Sequence, residues 1–261
     1  MASSASGVVP LPMPCSVSGV NSSIRLPARA SSFACLSTVS SVDHTVGRIE
    51  MSGVIACLRS DSAEVAMEAA CAALIGGISV LEIVMSTPGV LEILPQLVRD
   101  HPAATLGVGT VLNFTDAQKA IAAGAKFLMS PSFIEDVLTG TRDSNILYIP
   151  GVMTPTEVLL AHNMGAKVVK VYPVSALGGV HYISALKKPF SHIPMVASQG
   201  ISIDAMTEYI LKGASAVVLS DAIFSKDAIA ERDFHQVSRL AGLAAQQGSE
   251  AVERKRRYLH C

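Results

Sequence analysis

The stretch AKVVKVYPVSALGG, residues 166–179, decides how the chain is read. Val168, Val169, Val171, Tyr172 and Val174 make a short run of β-branched and aromatic residues, too short for a core helix and suited to a strand buried on both faces. The segment NMGA (163–166) just before it ends a helical pattern, with glycine as the left-handed cap. Lys170 stands inside the apolar run. A buried ammonium is costly unless it is paired or gives up its proton. Lys170 therefore either has a partner or works as a neutral amine.

The same unit recurs along the chain. Short apolar runs stand at GVIACL (53–58), SVLEIVM (79–85), TLGVG (105–109), KFLMS (126–130), ILYIPG (146–151), KVVKVYP (167–173), PMVAS (194–198) and SAVVLS (215–220). Their starts are about 20–27 residues apart, room for one strand and one helix each. Helical segments such as SAEVAMEAACAALIGG and TDAQKAIAAGA fill the intervals. Alternating strands and helices allow a closed (β/α)8 TIM barrel or an open doubly wound sheet. Even spacing, and the lack of a Gly-rich dinucleotide fingerprint after the first run, favour the barrel.

In a barrel of this kind the chemistry sits at the C-terminal ends of the strands. Strand alternation puts Val80, Glu82 and Val84 on one face, and Val168, Lys170 and Tyr172 on another. If both faces point inward, Glu82 is the partner that Lys170 needs. Such a pair is either a structural ion pair or the core of a Schiff-base site, with Lys170 as nucleophile and Glu82 moving protons.

Composition narrows the class. Half of the 261 residues are hydrophobic and the formal net charge is −1, so charge gives no pull toward nucleic acid or a membrane surface. No window reaches the roughly 18 uninterrupted apolar residues of a membrane span. Five cysteines without a CxxC pair argue against a disulfide framework. Cys57 and Cys71 read as core-filling thiols and Cys261, beside the RKRR run, as exposed. Seven histidines show no metal-ligand spacing. Lys126 and Lys167 precede strands, at the barrel end away from the chemistry.

Residues 1–45 are Ser-rich, contain Arg25 and Arg29, and have no acid before Asp43. That composition suits a disordered transit peptide, and the MASS start leans toward the chloroplast stroma. The expected organisation is a leader over 1–45, the barrel over 46–245, and a polar, basic, solvated tail over 246–261.

Five segments, VLEIVMSTP, GVGTVLN, LMSPS, YIPGVMTPTEV and VVKVYPVSALGG, occur in order and together resemble the 2-keto-3-deoxy-6-phosphogluconate (KDPG) and 4-hydroxy-2-oxoglutarate aldolase family, including its phosphogalactonate branch. The resemblance covers roughly residues 50–240. It implies a homotrimeric barrel and a metal-independent class I aldolase, with no cofactor, that releases pyruvate from a small keto acid. Lys170 matches the family's Schiff-base lysine and Glu82 its acid/base glutamate. Thr110, with the backbone of Gly109, matches the pyruvate-carboxylate contact, and Pro131 a proline lining the site. Arg59 matches an arginine after the first strand, while Ser86 stands where another branch has one. At the phosphate end Ser198, Gly200 and Ser220 remain, but Gln199 and Leu219 replace glycines, so side chains are expected where backbone would approach a phosphate.

The expected activity is cleavage of KDPG, or a close 2-keto-3-deoxy sugar acid, to pyruvate and glyceraldehyde 3-phosphate, with a weakened phosphate preference. The same lysine could instead cleave 4-hydroxy-2-oxoglutarate or decarboxylate oxaloacetate. A silent barrel that binds a small anion is the non-enzymatic alternative.

Overall fold

The computed structural model describes residues 40–259. The chain opens with helix α1 (Ser41–Ser52), whose N-cap Ser40 accepts from the Asp43 N–H and whose C-cap Gly53 has φ 67°. Strands β1 (Val54–Leu58), β2 (Val80–Val84), β3 (Thr105–Gly109), β4 (Phe127–Met129), β5 (Leu147–Ile149), β6 (Gly151–Val152), β7 (Val169–Val171), β8 (Met195–Ser198) and β9 (Ala216–Leu219) follow. Between them lie α2 (Ala63–Ile75), α3 (Val90–Asp100), α4 (Phe114–Ala122), α5 (Glu135–Thr141), α6 (Pro155–Asn163), α7 (Gly179–Lys187) and α8 (Ile203–Leu211). A short α9 (Lys226–Ala230) and a long α10 (Phe234–Leu259) end the described chain.

All strand pairs are parallel, in the order β5-β4-β3-β2-β1-β9-β8-β7-β6. The two edges of that sheet are one piece of chain. Pro150 separates β5 from β6 because it has no N–H to give the ladder, yet its carbonyl accepts from the Lys170 N–H at 2.8 Å. β5 pairs with β4 and β6 with β7, so residues 147–152 join both edges and the sheet closes into a barrel of eight staves. Every run read as a strand in the sequence is one of these staves.

Two apolar layers result. Ile55, Val80, Phe127, Met129, Leu147, Ile149, Val168, Val196, Ala216 and Val218 fill the barrel interior. The Phe127 ring takes the space that Gly107 leaves, since a Cβ there would meet the ring at 2.6 Å. α1 closes the N-terminal end: Ile49, Val42 and Val46 pack on the interior cluster, and Arg48 donates to the Ala103 carbonyl. The outer strand faces pack against the helices through a second cluster that includes the alanine face of α2 (Ala66, Ala69, Ala70, Ala73). Small side chains there bring helix and sheet close together.

Both expected boundaries shift. Position 45 falls inside α1, while residues 1–39 of the leader, and Cys261, lie outside the described residues. The tail is not a solvated end: 246–259 continue α10. Val237, Ala241, Ala244, Ala251 and Val252 make a buried stripe at helical spacing, and Lys255 donates to the Ala214 carbonyl at 2.8 Å. Arg254, Arg256 and Arg257 occupy the exposed side of the same helix. Ala251→Asp should lower the melting temperature by about 6–12 °C, because a carboxylate at a fully buried position costs about 3 kcal/mol or more. Arg256→Ala should change it by less than about 2 °C. Thermal unfolding of both variants checks this, and equal behaviour would mean that the last turns of α10 are not docked.

Candidate active site

Register fixes which side chains meet. Val80 and Val168 belong to the interior cluster, so the positions two residues on, Glu82 and Lys170, face inward as well. They approach from opposite walls, with Lys170 Nζ 3.9 Å from Glu82 Oε1. Their side chains are 8% and 1% exposed. The ammonium end also lies 5.6 Å from the centre of the Tyr172 ring. Neither Glu82 oxygen has a hydrogen-bond partner among the described residues. A buried carboxylate of this kind is completed by a ligand, a reacting group or an ordered water.

Gly109 makes this arrangement possible. It is the last inward position of β3, and a Cβ there would fall on the Glu82 carboxylate. The resemblance gave Gly109 a backbone contact with substrate; its packing shows a second requirement for glycine. Thr110 follows with φ 56°, a conformation that a β-branched residue rarely takes. Strain of this kind, at a strand end facing a buried reactive pair, is typical of functional sites. The neighbouring strand ends are tied together: Tyr148 Oη donates to Ser130 Oγ at 2.9 Å, and Ser130 donates to the Val111 carbonyl. Pro131 follows Ser130, packed so closely on Gly151 that a Cβ there would strike the Pro131 carbonyl.

At the end of β1 Arg59 is exposed, and its guanidinium donates to Ser86 Oγ at 3.2 Å. Arg59, just past β1, thus reaches over to position 86, just past the adjacent β2. Ser198 ends β8 and is buried, whereas Gly200 and Ser220 lie just past β8 and β9. The candidate substrate-binding residues Arg59, Gly109, Thr110, Pro131, Ser198, Gly200 and Ser220 stand at or next to the C-terminal ends of strands, and Glu82 and Lys170 lie deeper in the barrel.

Two readings change. Leu219 does not stand in the ligand space. It is fully buried in the outer cluster with the helices, because Val218 faces the interior and its neighbour must face out. Gln199 is exposed just past β8, with φ 87°, and its Oε1 accepts from Ser175 Oγ. Cys57 is more than core filling: it pairs in register with Glu82. Burial pushes its thiol well above the usual range, and the Glu82 carboxylate adds to the effect, so it stays neutral. The alternation of Ile55 and Cys57 on β1 was the available signal.

A cavity of about 400 Å³ lies at the other end of the barrel, bordered by Arg142, Asn145 and Lys167, away from these groups. Among the described residues no set of three or more His, Cys, Asp or Glu could hold a metal ion, and no helix is long and apolar enough to cross a membrane.

Known proteins share both sequence and architecture. A "2-dehydro-3-deoxy-phosphogluconate aldolase" of Treponema pallidum (strain Nichols) is 32% identical over 193 residues, 74% of this chain and 92% of the relative. A "KHG/KDPG aldolase" of Escherichia coli (strain K12) is 30% identical over 166 residues, 64% of this chain and 78% of the relative. A KDPG aldolase of Legionella pneumophila, solved with pyruvate captured as a covalent carbinolamine intermediate, superposes with a TM-score of 0.69 at 28% identity, over 76% of this chain and 96% of that one. The model of one aldolase family, KDPG and KHG aldolase, matches residues 46–240, and with the buried lysine–glutamate pair at the heart of a parallel barrel this chain belongs to that family.

Proposed function

We propose that the protein is a Schiff-base aldolase that cleaves a 2-keto-3-deoxy sugar acid of the KDPG type into pyruvate and an aldehyde, glyceraldehyde 3-phosphate where the acid is phosphorylated. The observation behind this reading is the Lys170 amine 3.9 Å from a Glu82 carboxylate that has no other partner among the described residues. Proton transfer to Glu82 frees the amine to attack the C2 carbonyl of the substrate. Protonated Glu82 gives that proton back to the hydroxyl of the resulting carbinolamine, which leaves as water, so that an iminium ion forms and Glu82 is a carboxylate again. Glu82 then takes the proton of the C4 hydroxyl, the C3–C4 bond breaks, and its electron pair moves to the iminium nitrogen. The aldehyde leaves, C3 of the enamine is protonated, and hydrolysis releases pyruvate and the lysine.

Pyruvate held as a carbinolamine in the Legionella relative supports the same adduct on Lys170. In this proposal Arg59, Thr110 and the Gly109 backbone hold the substrate carboxylate, Pro131 is an apolar wall, and Ser198, Gly200 and Ser220 border the far end. Arginine suits a carboxylate because its planar fork can donate twice. The iminium ion is itself the electron sink, so the reaction needs no metal. The exposed Gln199 favours a second substrate class as well, acids without a phosphate such as 4-hydroxy-2-oxoglutarate or oxaloacetate.

Incubation with pyruvate and borohydride, in protein treated with chelator, should fix a three-carbon adduct on Lys170. Label on Lys126 or Lys167 instead, or on nothing, would sink the Schiff-base mechanism. Glu82→Gln should retain pyruvate binding while turnover falls about 10²–10⁴-fold, the usual contribution of a positioned acid/base. Steady-state rates and a pyruvate titration on the same variant separate the two, and unchanged turnover would remove Glu82 from the mechanism.

We also propose that the Ser-rich leader directs the protein to the plastid stroma and that the mature protein is a homotrimer. Composition supports the address, and the family resemblance supports the assembly. Residues 1–45 fused to a fluorescent protein should enter isolated chloroplasts and be shortened there; retention of the full-length fusion outside would overturn the address.

A further inference from the structure

The far end of the substrate can be located from strand register. Lys170 pairs with Val196 of β8, and Gln199 lies three residues further on. At about 3.3 Å per residue that places Gln199 ~10 Å above the lysine along the strand direction. An acid joined to the lysine at C2 can extend along the barrel toward this level, and the Gln199 side chain can reach down to meet its far end.

What stands there is uncharged or acidic. Gln199 is exposed, has φ 87°, and is tied across to Ser175 in the 3-10 turn (Val174–Leu177) that follows β7. The tie is close-fitting: Gly200 has φ 72°, and a Cβ on it would stand 2.6 Å from both Cβ and Oγ of Ser175. With its carbonyl oxygen used by Ser175, Gln199 keeps its NH₂ group for a ligand. The segments 198–202 and 218–222 hold no lysine or arginine, and Asp221 is exposed next to Ser220. The first turn of α8 is capped by its own Ser202, whose hydroxyl accepts from the Ala205 N–H. Arg59 leans the other way, toward Ser86 after β2.

We propose that Gln199, held by Ser175, is the specificity-determining residue for the far end of the substrate, and that it favours a hydroxyl-terminated 2-keto acid over the phosphorylated one. The inference rests on the aldolase reading above. A hydroxyl can accept from the Gln199 amide. A phosphate dianion finds no lysine or arginine in these two segments, and Asp221, exposed beside Ser220, adds negative charge there.

The test is the ratio of kcat/KM for 2-keto-3-deoxy-6-phosphogluconate to that for its dephosphorylated form. The wild-type ratio should be one or less. Gln199→Gly should raise it about tenfold or more, the effect of exchanging one hydrogen bond to a charged group. Because glycine suits φ 87°, this variant should melt no lower than the wild type. If it does melt lower, Ser175→Ala, which unties the glutamine, gives the same readout and should raise the KM of the dephosphorylated acid more than it lowers kcat. A wild-type ratio of ten or more, or a ratio that neither variant moves, overturns the assignment. Borohydride trapping of pyruvate on the wild type is read separately. Its failure overturns the aldolase reading, while trapping with an unmoved ratio overturns the role of Gln199 alone.

Discussion

An ion pair in a dry barrel is the constraint around which this protein is built. Removing two charges from water costs several kcal/mol per ion, and mutual attraction repays it only with good geometry and further hydrogen bonds. Lys170 and Glu82 meet at 3.9 Å, longer than a hydrogen bond, and beside the carboxylate stands the neutral Cys57 thiol, a weak donor. An apolar pair of similar volume would hold the barrel as well or better. In the proposed mechanism the pair is a reactive centre kept ready, in which proton exchange and attack on a carbonyl satisfy both groups. The rest of the interior follows from it. Gly109 has no side chain because Glu82 needs the volume, and β2 and β7 must both turn the same parity inward.

The strand ends supply rigidity around that centre. Among the described residues, two of the three non-glycine residues with positive φ, Thr110 and Gln199, sit just past β3 and β8. Their conformations cost free energy that the surrounding structure must offset. The hydrogen bonds from Tyr148 to Ser130 and on to Val111, and the contact of Pro131 with Gly151, bind the ends of β3, β4 and the β5–β6 stave into one frame. Groups that must be placed to a fraction of an ångström are best mounted on such a frame.

The barrel was legible because short β-branched runs at even spacing have few other physical readings, and the inward pair was legible because side chains alternate along a strand. Leu219 was misjudged by treating it as a lost glycine; the parity of Val218 places it outside. The last helix was hidden because the charges of ERKRR mask the widely spaced small residues that dock it, Ala244 and Ala251 among them. α1 is polar enough to pass for part of a leader, and its three apolar contacts, Val42, Val46 and Ile49, gain meaning only once there is a barrel end to close. The space kept by Gly109 and the tie between Ser175 and Gln199 join residues far apart in sequence, and no local pattern announces them.

The closure of the sheet also sets an order on folding. β1 lies between β2 and β9, and Val54 of β1 pairs with Val217 of β9, more than 160 residues later. During synthesis the first strand therefore waits, with one edge unpaired, until nearly the whole chain has been made. An open parallel edge of that kind invites pairing with other chains, and long-range strand pairing is intrinsically slow. A nascent chain of this protein is thus exposed to misassembly up to the moment its final strand arrives, and a demand for chaperone protection is built into the topology itself.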